Sequence, residues 1–128
     1  MTGRPILCVE DEERARAILA RHLTRLGYRV RTAIDGGDAL RAIGEEMPEG
    51  VITDLQMPVV DGIELCRRLR GAPATAHLPL LVVSGHPRIA ELAAEAGADG
   101  WLAKPVTRAG LATCLSRLLA GGPAAAGR

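Results

Sequence analysis

Short apolar runs recur along this chain, and each delivers a polar residue at its end. Ile6-Leu7-Cys8-Val9 leads into Glu10 and Asp11, Val51-Ile52-Thr53 into Asp54, and Leu80-Leu81-Val82-Val83 into Ser84. Continuous runs of this length suit strands covered on both faces, as in a parallel sheet. Between the first two runs the spacing turns helical. Ala15, Ile18, Leu19, His22, Leu23 and Leu26 recur at three- and four-residue steps until Gly27 stops the pattern. Few folds accept that alternation, because parallel strands need crossover connections and helices supply them.

The rest of the chain continues the rhythm. Residues 28–33 alternate, with Val30 between Arg29 and Arg31, and read as a second strand nearer an edge. Asp35-Gly36-Gly37 has turn chemistry, a second helix is expected over 38–47, and Pro48-Glu49-Gly50 breaks it. Pro58 ends the ladder of the third strand, and Asp61-Gly62 opens a third helix over 63–69. A fourth strand is expected over 78–83, a fourth helix over 88–96, a weak fifth strand over 98–103 ending at Lys104-Pro105, and a fifth helix over 106–119. The pattern predicts a doubly wound (βα)5 parallel sheet, flavodoxin-like, with strand order 2-1-3-4-5. Residues 1–120 form the expected domain, and 121–128, rich in Gly, Ala and Pro, the expected flexible tail.

Composition removes several classes of function. With 16 Lys plus Arg against 15 Asp plus Glu, the formal net charge is +1, which gives no argument for nucleic acid or an anionic membrane. No apolar run approaches the ~20 residues that span a bilayer, and the N-terminus lacks a secretory apolar region. Cys8, Cys66 and Cys114 have no metal-like spacing and read as reduced core thiols, pointing to the cytoplasm. The chain has no Phe, one Trp and one Tyr, so the core must be aliphatic. The arginines of the first helix, Arg14, Arg16, Arg21 and Arg25, read as a solvated face.

Parallel strands point the same way, so Glu10, Asp11, Asp54, Ser84 and Lys104 share one rim. In the order 2-1-3-4-5, the crevice between strands 1 and 3 is the topological switch point, where ligands of such sheets bind. Three carboxylates crowded there repel one another and call for a cation. Oxygen donors in a loop setting suit Mg²⁺. A carboxylate, a divalent-ion site, a lysine and a hydroxyl donor together describe phosphoryl transfer to an aspartate.

Glu10-Asp11, the segment Asp54-Leu55-Gln56-Met57-Pro58 with Asp61-Gly62 downstream, Ser84 after an apolar strand, and Lys104-Pro105 are individually weak signals. In this order and spacing, over roughly residues 5–120, the chain resembles the receiver domain of two-component response regulators. The resemblance implies that Asp54 accepts the phosphoryl group. It implies that Glu10, Asp11, Asp54 and the backbone carbonyl of Gln56 hold Mg²⁺, that Lys104 pairs with the phosphoryl group, and that Ser84 is the switch hydroxyl. It further implies a cis bond before Pro105. Trp101 falls where the family usually carries a Tyr or Phe rotamer switch, and Gln56 and His86 fall at rim positions that tune phosphoryl lifetime.

The implied function is a signalling switch rather than an enzyme. Its donor would be a sensor histidine kinase or phosphotransfer protein, for which the first helix is a common docking site in the family. Its output would be a protein partner at the face of the fourth helix, fifth strand and fifth helix, with a homodimer left open. Two other readings compete, the first of them on the same fold. A phosphorylation-independent interaction module would not need the full set of polar groups. A Mg²⁺-dependent aspartyl-phosphate phosphohydrolase would carry a second Asp two residues after the nucleophile, where this chain has Gln56.

Overall fold

A computed structural model describes residues 3–57 and 60–120. The chain alternates strictly as β1 (Pro5–Val9), α1 (Glu13–Arg25), β2 (Arg29–Ala33), α2 (Gly36–Glu45), β3 (Gly50–Asp54), α3 (Gly62–Gly71), β4 (Leu80–Ser84), α4 (Ile89–Ala96), β5 (Gly100–Ala103) and α5 (Arg108–Leu119). The five strands form one parallel sheet in the order β2-β1-β3-β4-β5, as the alternation predicts.

The period of two along each strand sorts the apolar side chains into two layers. Leu7 and Val9 face α2, α3 and α4, together with Val51, Leu80 and Val82. Ile6 and Cys8 face α1 and α5, together with Ile52, Leu81 and Val83. Both layers are aliphatic, and the half-buried Trp101 packs against the edge of the first. Cys8, Cys66 and Cys114 are buried thiols within these layers.

Several boundaries differ from the sequence pattern, for local reasons. α2 starts at Gly36 instead of 38, because the Asp35 carboxylate accepts the Asp38 N–H at 2.7 Å and caps the helix there. Gly36 is needed at that point, since a Cβ would lie 2.4 Å from the Val60 carbonyl oxygen. α2 also ends two residues early, at Glu45. The Arg31 guanidinium takes the carbonyls of Ala42 and Glu46 at 2.7 and 2.9 Å, satisfying acceptors that a helix end leaves open. β4 begins at Leu80, opposite Val51, and includes Ser84 as its last residue. Pro58, the expected strand stop, and the tail 121–128 lie outside the described residues.

The end of the sheet opposite the carboxyl ends is fastened by one side chain. Arg70 donates to the carbonyls of Gly97, Ala76 and Leu78 and to the Asp99 carboxylate, which in turn accepts the Leu80 N–H. That knot fixes the C-terminal ends of α3 and α4 against the starts of β4 and β5.

Candidate phosphoacceptor site

The ladder sets the rim. Val9 lies opposite Thr53, Asp54 opposite Val83, and Ser84 opposite Ala103. The residues that end these strands, Glu10, Asp54, Ser84 and Lys104, therefore come together although Glu10 and Lys104 are 94 positions apart.

Lys104 Nζ sits between two carboxylates, 2.8 Å from Glu10 Oε1 and 3.1 Å from Asp54 Oδ2. Asp54 Oδ1 accepts the Leu55 N–H at 2.7 Å and a longer contact from the Gln56 N–H at 3.4 Å. Glu10 Oε2 accepts the Glu12 N–H at 3.1 Å. Glu10 is 1% exposed and Asp54 8%, while Asp11 is open to solvent. Burial raises the Glu10 carboxyl above its ordinary value against the hydrogen bonds from Lys104 and Glu12, and the Asp54 charge adds to the rise. Burial pulls the Lys104 ammonium down, but its hydrogen bonds to Glu10 and Asp54 outweigh this and raise it. The lysine is thus held as a cation, and one cation faces a greater negative charge.

Carboxylate oxygens of Glu10, Asp11 and Asp54 lie within 4.8 Å of one another. That all-oxygen donor set, with one open flank at Asp11, fits a hard divalent ion that keeps part of its water shell. An open cleft of about 540 Å³ adjoins it, lined by Asp11, Gln56, Met57, Asp61, His86 and Leu92 among others.

Ser84 is 2% exposed. Its carbonyl accepts the Lys104 N–H at 3.0 Å, which ties the β4 and β5 ends together, and its Oγ accepts the His86 N–H at 3.1 Å. The Lys104-Pro105 bond is cis. Every site residue singled out from the sequence lies on or beside this rim except Trp101, which sits on β5 below it.

Arg16 corrects the reading of α1 as an arginine face open to water. It is half-buried, and its guanidinium donates to the carbonyls of Glu10 and Asp11 at 3.0 and 3.4 Å, backing the loop that carries the acidic pair. Helical phase was the available signal. Arg16 turns toward the strand side, away from Arg14, Arg21 and Arg25, which are exposed and bond to no described residue.

Comparison with known proteins agrees with this architecture. The model of the response regulator receiver domain matches residues 6–116, and the chain belongs to that family. It is 41% identical over 102 residues to the response regulator MprA of Mycobacterium tuberculosis, an alignment covering 78% of this chain and 44% of that protein. The chain spans a little under half the length of the curated relatives it matches. Among solved structures, a candidate response regulator from Chloroflexus aurantiacus superposes with a TM-score of 0.89 at 34% identity, covering 93% of this chain and 99% of that one. The receiver domain of a sensor histidine kinase from Pseudomonas aeruginosa, described with a magnesium ion coordinated in its active-site cleft, gives 0.87 at 30% identity, covering 94% and 100%.

Proposed function

We propose that this receiver domain is a phosphorylation-dependent switch whose acceptor is Asp54. The observation that carries the proposal is the Lys104 ammonium bridging Glu10 and Asp54 at the switch point of the sheet, with Ser84 on the neighbouring strand end. Glu10, Asp11 and Asp54, with the Gln56 carbonyl, would hold Mg²⁺. Bound there, the ion would neutralise charge on the transferring phosphoryl group.

The chain's own groups do the rest. The Leu55 N–H holds Asp54 Oδ1, which leaves Oδ2, now paired with Lys104, to attack phosphorus. Attack forms the Asp54 O–P bond and breaks the bond from phosphorus to the donor's leaving atom, which departs with the electron pair. Lys104 then pairs with a phosphoryl oxygen, and the Ser84 hydroxyl turns its proton toward another. Moving a two-state equilibrium from 1:99 to 99:1 takes about 5.5 kcal/mol. Charge-assisted hydrogen bonds at roughly 1.5–3 kcal/mol each reach that with a few contacts.

The donor would be a histidine kinase or phosphotransfer protein, and Arg14, Arg21 and Arg25, exposed and with no ion-pair partner among the described residues, support its docking on α1. The output would be a change in partner affinity, or in homodimer formation, at the face of α4, β5 and α5. Trp101 would report that change, and Gln56 and His86 would tune phosphoryl lifetime. No described helix is long and apolar enough to cross a membrane, which accords with a cytoplasmic switch.

Intact-mass spectrometry after incubation with acetyl phosphate tests the proposal. One added phosphoryl group is expected, dependent on Mg²⁺ and removed by hydroxylamine. Asp54→Asn should abolish it, and full labelling of that variant would reassign the acceptor.

A further inference from the structure

Four of the five helices among the described residues begin with a side-chain cap. Glu12 accepts the Ala15 N–H, Asp35 the Asp38 N–H, Asp61 the Glu64 N–H, and Thr107 the Gly110 N–H. α4 is the exception, since Arg88 at its N-cap makes no such bond. The open donors at a helix start need acceptors, and at α4 one residue outside the helix supplies two of them. His86 Nδ1 accepts the Arg88 N–H at 3.0 Å, and the His86 carbonyl accepts the Ile89 N–H at 3.2 Å. The backbone N–H of the same residue donates to Ser84 Oγ at 3.1 Å.

We infer that His86 is a positioning residue that couples the Ser84 hydroxyl to the first turn of α4. This rests on the proposed phosphorylation switch for its trigger, although the cap itself stands without it. The chemistry of the ring follows from the bond it makes. An Nδ1 that accepts an N–H carries no proton, so the neutral imidazole is the Nε2–H tautomer. His86 lines the open cleft together with Gln56 and Leu92.

The mechanical consequence lies in which end of α4 is free. The C-terminal end is pinned, because Arg70 holds the Gly97 carbonyl at 2.8 Å and Gly97 closes the helix in the left-handed conformation. The N-terminal end is held through residues 84–89 by the three bonds of His86. When Ser84 Oγ swings toward a phosphoryl oxygen, the His86 N–H follows or loses its acceptor. The ring and carbonyl of His86 then carry the Arg88 and Ile89 amides with them. α4 therefore pivots about its fixed C-terminal end rather than translating.

Two variants separate coupling from bulk. His86→Leu keeps apolar volume but removes the ring acceptor. His86→Asn keeps an acceptor able to reach the N–H two residues on, as in an Asx turn. In the unmodified protein, amide hydrogen exchange at Arg88 should speed up roughly 2- to 10-fold in His86→Leu, the effect of losing one neutral hydrogen bond, and stay near the parent rate in His86→Asn. After acetyl phosphate treatment, with the adduct verified by mass, backbone amide shifts at Ser84 should change in both variants. The shifts along Ile89–Ala96 should shrink at least twofold in His86→Leu alone. Full-sized α4 shifts in His86→Leu, or unchanged Arg88 exchange, would overturn the inference. Absence of any adduct in the parent protein would instead strike the phosphorylation reading, while the exchange comparison would still decide the cap.

Discussion

Lys104 occupies the place where removing one side chain changes most. Without it, Glu10 and Asp54 face each other across the rim with no resident cation. Lys104→Met should slow acetyl phosphate labelling by about 100-fold or more, the scale of losing one preorganised electrostatic donor. Mg²⁺ binding, followed by calorimetric titration, should persist, because the three carboxylates remain. Equal loss of both would make the lysine structural only. The buried thiols answer a different question. Burial, with a smaller push from the Glu10 charge at Cys8, drives the Cys8 and Cys66 thiols up to about 12. Both should resist iodoacetamide at pH 8 in the native protein and react in urea. The folded thiols bind protons more tightly than the unfolded ones, so their contribution to stability is complete below about pH 9. It should be lost as pH rises from 9 toward 12, visible as a falling urea midpoint.

At the scale of elements, the start of α3 and the end of β3 are fitted to each other. The Gly62 N–H donates to the Leu55 carbonyl at 2.9 Å, and a Cβ on Gly62 would lie 1.9 Å from the Asp54 carbonyl oxygen. Backbone stands in the way, so no side-chain rotation relieves the clash. Gly62→Ala should cost about 3 kcal/mol, the upper end of overpacking, measured as a shift of the urea midpoint. It should also lower labelling at Asp54, because the strand end itself must move. The same comparison explains why the first helix was only partly legible. Its apolar phase was plain in Leu19, Leu23 and Leu26, but an arginine count does not say which guanidinium turns inward. Arg16 does so because the Glu10 and Asp11 carbonyls lie within its reach.

For the whole molecule, metal binding and folding are linked. The three acidic residues converge only in the folded chain, so a divalent ion should bind the native state and not the unfolded one. Mg²⁺ at about 100 times its Kd should add about 2.7 kcal/mol of stability, read as a rise in Tm by calorimetry. Asp11→Asn should reduce that rise while leaving the fold intact, because Asp11 is exposed and its side chain bonds to no described residue. An equal rise in both proteins would move the ion elsewhere.

The sequence by itself determined the alternation of strands and helices, the aliphatic core, and the polar residues at the ends of β1, β3, β4 and β5. Those features depend on periodicity and covalent neighbours, which spacing reports directly. It also supplied the five groups of the rim, because parallel strands carry their ends to one side whatever the details of packing. Tertiary structure decided which atoms meet. Glu10, Asp54 and Lys104 are far apart in the chain, and only the strand register brings their charged atoms within 2.8–3.1 Å of Lys104 Nζ. The early start of α2 depended on Val60 passing close to Gly36, and the bracing of the acidic loop on the direction of Arg16. The cap on α4 depended on the ring angle of His86. Each of these is a distance between side chains or between distant segments of backbone, and such distances are set by how the layers pack.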